Sequence, residues 1–376
     1  MPKIAIVSGE PSGDLIASEL MRDLVKINKN ISFVGVGGPG MKKYGLNSFF
    51  DYSILSVMGL VDVFKNIRKL YISRKKLVSY LLKEKPDVFI GVDAPDFNFY
   101  IERKMKENGI RTFHLISPSV WAWRKNRIYY MKKVMHHLFC AFPHEPEIFK
   151  KVKLSTTYVG HSLASRIPLK PNIVSARNKL KIRSKNIVIS ILPGSRRHEV
   201  EKLSEIFLRT AELIAEKKKC LFLISASSKE NYLKIKQFIK NYQIQNIRIV
   251  IGHSHDVISA ADLVILASGT ATLETALFKK PMVVAYKSSW IEFSIYKIVR
   301  LIKFISLPNI LLNREVVPEF LQDNLSPEIL SQKVFDILDD KKYQSNLKKD
   351  FNSLHKSLKR NTSQLIYDQI KKYLWR

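Results

Sequence analysis

The sequence predicts an α/β protein with two parallel-sheet domains, and three observations carry that prediction. Apolar runs of strand length alternate with longer helical patterns from the first residues onward, as strands and crossover helices do in a parallel sheet. The alternation breaks at Ile167-Pro168-Leu169-Lys170-Pro171 and then restarts. Each half also carries a glycine-containing turn that follows an apolar run and opens a helical pattern. These are Gly9-Glu10-Pro11-Ser12-Gly13-Asp14 after Ile4-Ala5-Ile6-Val7, and Leu192-Pro193-Gly194-Ser195-Arg196-Arg197 after Ile187-Val188-Ile189-Ser190-Ile191. Such a turn aims backbone N–H groups and a helix N-terminus at whatever lies above the strand. One per half suggests two Rossmann-like domains facing each other across an interdomain cleft, a natural place for group transfer from a nucleotide-activated donor.

The strands follow from the apolar runs in order. In the first half they are expected at Lys3–Ser8, Ile31–Val36, Asp87–Val92, Arg111–Ile116, His137–Ala141 and Thr157–Val159. In the second half they are expected at Asn186–Leu192, Leu221–Ser225, Arg248–Ile251, Leu263–Leu266 and Met282–Ala285. The expected domains are therefore 1–168 and 169–345, followed by lysine-faced helices over 346–376 that fold back onto the first domain or reach a partner chain.

Composition bounds the class. A chain of 376 residues that is 46% hydrophobic has enough apolar material for two cores and is not disordered. Cys140 and Cys220 form neither a CxxC pair nor a disulfide framework, which fits a reducing compartment. Met1-Pro2-Lys3 runs straight into a strand, so no cleaved leader is expected. No run of about 18 uncharged apolar residues is present to span a membrane. The formal charge of +30 favours polyanions: nucleic acid, anionic headgroups or phosphorylated substrates. A lysine-rich compositional bias accounts for the charge equally well.

Several motifs are excluded by their context. Gly35-Val36-Gly37-Gly38-Pro39-Gly40 fits G-x-G-x-x-G but follows the second strand, contains a proline and leads into a short segment, so a dinucleotide cofactor is not expected. His144-Glu145 meets Ile148 where a zinc motif needs a second histidine, and the histidines show no ligand spacing, so no metal is expected either.

Other positions carry chemistry. Asp93 ends the all-apolar run Val88-Phe89-Ile90-Gly91-Val92, which reads as a central strand, and strand ends are where open parallel sheets bind ligands. Asp93 is the candidate general base and Asp96 the candidate cap of the next helix. Ala267-Ser268-Gly269-Thr270-Ala271-Thr272-Leu273-Glu274 follows a buried strand and opens a helix. Its small residues let amides approach a phosphate, Thr270 or Thr272 suits a cap, and Glu274 accepts ribose hydroxyls or closes a capping box. Arg196 and Arg197 flank the other turn and suit a diphosphate. Val57–Leu77 and Trp290–Leu307 are amphipathic and basic, as interfacial helices are, although a core-facing helix with a solvated basic face has the same pattern.

Together these blocks resemble the lipid-A-disaccharide synthase family. The resemblance is carried by Gly9-Glu10-x-Ser12-Gly13-Asp14, Gly91-Val92-Asp93-Ala94-Pro95-Asp96-Phe97-Asn98 and Ser117-Pro118-Ser119-Val120-Trp121-Ala122-Trp123-Arg124. Leu192-Pro193-Gly194-Ser195-Arg196, Ser268-Gly269-Thr270-Ala271-x-Leu273-Glu274 and Leu307-Pro308-Asn309-Ile310-Leu311 extend it over nearly the whole chain in order. It implies a GT-B fold and metal-free, inverting transfer of diacylglucosamine. The donor is UDP-2,3-diacylglucosamine, the acceptor is 2,3-diacylglucosamine 1-phosphate, and the products are a β-1,6-linked disaccharide 1-phosphate and UDP.

Under that reading Asp93 activates the acceptor hydroxyl, and Arg196 with the helix N-termini after Gly194 and Gly269 holds the charge developing on UDP. Ser268, Gly269 and Thr270 line the donor side, Glu274 and Asn309 fix the nucleotide, and Glu10, Ser12 and Asp14 line the acceptor side. Acylated substrates favour membrane contact through Val61, Phe64, Ile67 and Leu70 on the cytoplasmic face of an anionic inner membrane, with a homodimer through the C-terminal helices left open. The rival readings are another GT-B enzyme on a different sugar and, from the charge, a nucleic-acid-binding protein, for which no binding module is found.

Overall fold

The computed structural model describes residues 1–51, 60–118, 120, 126–183, 186–288 and 303–374, with the side chains of Pro11 and 60–69 left aside. The chain divides into two compact units, Met1–Ser162 with Leu358–Arg376, and Leu163–Ser357.

Unit 1 contains strands β1 (Lys3–Ser8), β2 (Ser32–Val36), β3 (Leu46–Ser48), β4 (Val88–Val92), β5 (Arg111–Leu115), β6 (His137–Cys140) and β7 (Ser155–Tyr158). They form one parallel sheet in the order β3-β2-β1-β4-β5-β6-β7. Its helices are α1 (Pro11–Ile27), α2 (Pro39–Lys43), α3 (Leu60–Glu84), α4 (Pro95–Glu107), α5 (Arg127–Val134) and α6 (Glu145–Lys150), with α7 (Ser162–Arg166) at the crossing into unit 2.

Alternation along β1 explains the layering. Ile4 and Ile6 pack against Ala17, Leu20, Met21 and Leu24 of α1. Ala5 and Val7 point the other way, to Leu77, Val78 and Leu81 of α3 and Ile101 and Met105 of α4. The last helix, Thr362–Ile370, returns to the α1 side, where Ile366 and Ile370 join the same core and Ser363 Oγ donates to Asp23 at 3.0 Å.

Unit 2 repeats the scheme. Strands β8 (Ile187–Leu192), β9 (Cys220–Ala226), β10 (Ile247–Ile251), β11 (Leu263–Ala267), β12 (Met282–Tyr286) and β13 (Glu319–Leu321) form a parallel sheet in the order β10-β9-β8-β11-β12-β13. Helices α8 (Ile173–Lys179), α9 (Arg197–Lys217), α10 (Lys229–Ile239), α11 (Ser254–Ala260) and α12 (Thr270–Leu277) cover it. The apolar runs locate every strand except β3 and β13, which are three residues each and lie at sheet edges, too short to register as a run.

In each sheet the strand order reverses beside the first strand, between β1 and β4 in unit 1 and between β8 and β11 in unit 2. The carboxyl ends of those strands are the topological switch points where open α/β sheets bind ligands. Gly9–Asp14 and Asp93 follow β1 and β4, whereas Gly194–Arg196 and Ser268–Glu274 follow β8 and β11.

Some sequence expectations fall outside the described residues: Ser119 and 121–124 of the tryptophan block, and 290–302 of the second amphipathic segment. The first such segment forms α3, in which Leu70 is half-buried and the side chains of Val61, Phe64 and Ile67 lie outside the description. Farther along α3, Leu77 and Leu81 face the core, while Tyr71 and Ile72 are exposed, with Arg74 and Lys75 against the Tyr71 ring. Among the described residues no helix is long and apolar enough to cross a membrane.

Candidate active site

The unit 1 switch point is built around Asp93. The residue is half-buried at the end of β4, and its N–H donates to Leu115 O on β5 at 3.1 Å. Asp93 and Ala94 both take left-handed backbone, with φ of 53° and 43°, and Ile116 at the end of β5 does so at 75°. A non-glycine residue in such a conformation costs about 1–3 kcal/mol and persists only where its surroundings over-determine it. That strain, gathered at one sheet edge, gives Asp93 a fixed exit from the sheet. Asp96 is not the cap expected for α4: the N-cap is Ala94, and Asp96 sits inside the first turn in an ion pair with Arg127.

On the other side of the switch point Glu10 is the N-cap of α1, and both Glu10 and Ser12 are exposed. Asp14, expected on the acceptor side, has its carboxylate engaged by backbone amides. Its carboxylate is 8% exposed and accepts three backbone N–H bonds, from Gly38 at 2.8 Å, Gly40 at 3.0 Å and Met41 at 3.1 Å. It therefore ties the loop before α2 to α1. The glycine run finds its use here, since a Cβ on Gly38 would lie 2.7 Å from an Asp14 oxygen.

The unit 2 switch point is a cavity of about 500 Å³ lined by Gly194, Arg196, Glu199, Gly269, Thr270 and Glu274 among others. Its two helix N-termini differ. At α9, Ser195 and Arg196 donate their N–H groups to Glu199 at 3.0 and 3.1 Å, so the amides expected to hold a diphosphate are already occupied by a carboxylate. The turn is also fixed from outside, where Asn231 donates to Ser195 O at 2.9 Å. What α9 presents is the Arg196 side chain, 68% exposed.

At α12 the N-cap is Gly269, with φ of 153° and no side chain closing the helix end. The expected threonine cap is absent: Thr270 is exposed, and Thr272 donates to Gly269 O at 2.8 Å while accepting from Leu307 N at 3.1 Å. Ser268 Oγ donates to Ile305 O at 2.8 Å. Glu274 lines the cavity one turn in, 3.7 Å from His255.

Asn309, expected to fix the nucleotide, has its side-chain amide engaged within the protein. It is fully buried, with its amide nitrogen donating to Val317 O at 2.8 Å and to Glu319 at 2.7 Å. Its oxygen accepts from Val316 N at 2.7 Å and Val317 N at 3.0 Å. Glu319 in turn accepts from the amides of Ile305 and Ser306, both at 2.9 Å. This knot, of which only the Asn309 end lies in a sequence motif, holds the segment that packs on α12. Glu199 was legible in principle, because Arg196-x-x-Glu199 has capping-box spacing with arginine in place of serine.

Two parallel α/β sheets of this order define the class as a GT-B-like fold. Solved structures share it at low identity. MurG from Acinetobacter baumannii superposes with a TM-score of 0.59 at 14% identity, over 98% of this chain and 99% of its own. UDP-GlcNAc 2-epimerase from Neisseria meningitidis, bound to UDP-GlcNAc, gives 0.65 at 14%, over 99% and 100%. The family model for lipid-A-disaccharide synthetase matches residues 4–370. The lipid-A-disaccharide synthase of Methylobacillus flagellatus is 39% identical over 368 residues, covering 97% of each chain, and that of Idiomarina loihiensis is 40% identical over 377, covering 99% of this chain and 98% of its own. The chain belongs to the lipid-A-disaccharide synthase family and is a glycosyltransferase of lipid A biosynthesis.

Proposed function

We propose that Asp93 is the general base of the transfer and that unit 2 grips the UDP leaving group through Arg196 and the uncapped N-terminus of α12. The acceptor 6-hydroxyl oxygen attacks the anomeric carbon of the UDP-linked diacyl sugar from the face opposite the diphosphate. Its proton passes to the Asp93 carboxylate, and the anomeric carbon–oxygen bond to UDP breaks with its electron pair leaving on the diphosphate. Configuration inverts. The transition state has oxocarbenium character, as in other glycosyl chemistry.

Charge builds on the departing diphosphate, where a guanidinium and the positive end of a helix stabilise it without a metal. Glu274 accepts from the ribose. Glu10 and Ser12, exposed at the start of α1, face the acceptor, with Asp14 shaping the loop beneath them. The enzyme works as a peripheral protein on an anionic membrane, with α3 laid against the headgroups.

The observation that carries this reading is Asp93, a half-buried carboxylate in a left-handed turn at the end of the central strand. The test is a split between two variants. Asp93→Asn is expected to lower kcat by roughly 10²–10⁴-fold at unchanged donor KM. Arg196→Ala is expected to raise donor KM. Full turnover in Asp93→Asn moves the base elsewhere.

A further inference from the structure

Behind Asp93 the core of unit 1 holds a polar cluster that the reaction above does not use. Glu102 on α4 and His114 on β5 are both 0% exposed, with His114 Nδ1 2.6 Å from Glu102 Oε1. Gly91 in β4 makes the room: a Cβ there would lie 2.3 Å from Glu102 Oε1, 3.1 Å from His114 Nδ1 and 3.2 Å from the Asn98 Cβ. Asn98, one turn before Glu102 on the same face of α4, is also fully buried. Its amide nitrogen donates to Asp93 O at 2.8 Å and lies 3.3 Å from Val7 O and 3.4 Å from Val92 O. One side chain thus ties the ends of β1 and β4 to the left-handed turn.

Three atoms of this cluster are buried without a hydrogen-bond partner: Asn98 Oδ1, Glu102 Oε2 and His114 Nε2. Folded proteins rarely leave such atoms unsatisfied. With Glu102 ionised, Asn98 Oδ1 and Glu102 Oε2 are two buried acceptors one helical turn apart, and neither has a donor. A proton on Oε2 makes that oxygen a donor toward Asn98. His114 then gives its Nδ1–H to Oε1 as a neutral imidazole, and only the Nε2 lone pair is left over. An ion pair would instead leave all three atoms orphaned, one of them a buried carboxylate oxygen. Among the described residues His114 is the titratable group acting on Glu102, and burial pushes the carboxyl upward against its pull. An Asn98 oxygen held by a donor fixes the amide the right way round, nitrogen toward Asp93.

We propose that Asn98, Glu102 and His114 are positioning residues, a hydrogen-bonded relay with Glu102 as the neutral acid, which locks the Asp93–Ala94 turn and aims the Asp93 carboxylate. The proposal rests on the reading of Asp93 as the base.

Asn98→Asp keeps the shape but turns an acceptor toward Asp93 O. Its kcat is expected to fall roughly 30-fold or more, with both KM values within about threefold of the parent, as for a misaligned base. Glu102→Leu is expected to lose kcat in the same way, and Glu102→Gln, whose amide N–H replaces the acid O–H, to restore most of it. Infrared difference spectra at neutral pH are expected to show a protonated-carboxyl band that disappears in Glu102→Gln, a readout that a purely structural role does not require. Unaltered kcat in Asn98→Asp, or no such band lost in Glu102→Gln, overturns the relay. Asp93→Asn is assayed alongside. Full turnover there refutes the base reading itself, whereas a loss of turnover there with full activity in Asn98→Asp refutes the relay alone.

Discussion

Asp14 and Asn309 are polar residues inside motifs, and the structure gives both of them to the scaffold. Sequence marks a residue's chemistry and its place beside a strand end, but not where its hydrogen bonds go. Asp14 is spent on the amides of Gly38, Gly40 and Met41 and Asn309 on the 316–319 backbone, whereas Asp93 and Arg196 keep charged groups at the switch points. Asn309→Ala orphans two buried amides and is expected to lower stability by about 2–6 kcal/mol in urea denaturation, since each unsatisfied group costs about 1–3 kcal/mol. A variant of normal stability that no longer binds UDP would return Asn309 to the nucleotide. Arg196 is largely exposed, so Arg196→Ala is expected to leave the melting temperature nearly unchanged. By calorimetry its UDP dissociation constant is expected to rise roughly 10–100-fold, the worth of a charge-assisted contact.

At the scale of elements, the strands were legible because parallel strands covered on both faces are continuous apolar runs, and Val88–Val92 and Leu263–Ala267 are buried throughout. Helix ends were less legible. The α9 and α12 turns read alike, yet Glu199 closes one and nothing caps the other, a difference made by a side chain one turn inside the helix. The neighbouring strands β6 and β7 carry a pH dependence. His137 on β6 lies 2.8 Å from Ser155 Oγ and 2.9 Å from Thr157 Oγ1, and burial pushes its pKa down to about 4. The unfolded imidazole takes up its proton near the ordinary value of 6.5, so between 6.5 and about 4 the unfolded chain binds more protons. Stability is therefore complete above about pH 6.5 and drains away as the pH falls to about 4. His137→Gln is expected to lose less melting temperature than the parent between pH 7.5 and 4.5, and an equal loss would remove His137 as the cause.

For the whole molecule, a formal charge of +30 acts on any anionic surface it meets. Basic residues near anionic lipid contribute roughly 1 kcal/mol each, and apolar insertion adds to them. Sedimentation with anionic vesicles is expected to weaken as salt rises, and Phe64→Ser combined with Ile67→Ser to release the protein. Unchanged sedimentation of that double variant would assign the start of α3 to the core. The two parallel sheets were visible in the sequence as a repeated strand–turn–helix opening, one per sheet, and each opening falls at a switch point. The proposed reaction needs a carboxylate for the attacking hydroxyl and a cationic seat for the departing diphosphate. The most direct measurement is single-turnover rapid quench of Asp93→Asn with donor prebound and acceptor in excess. The account predicts donor bound at the parent's affinity and disaccharide formation slowed by roughly 10²-fold or more. Disaccharide formed at the parent's rate would contradict it.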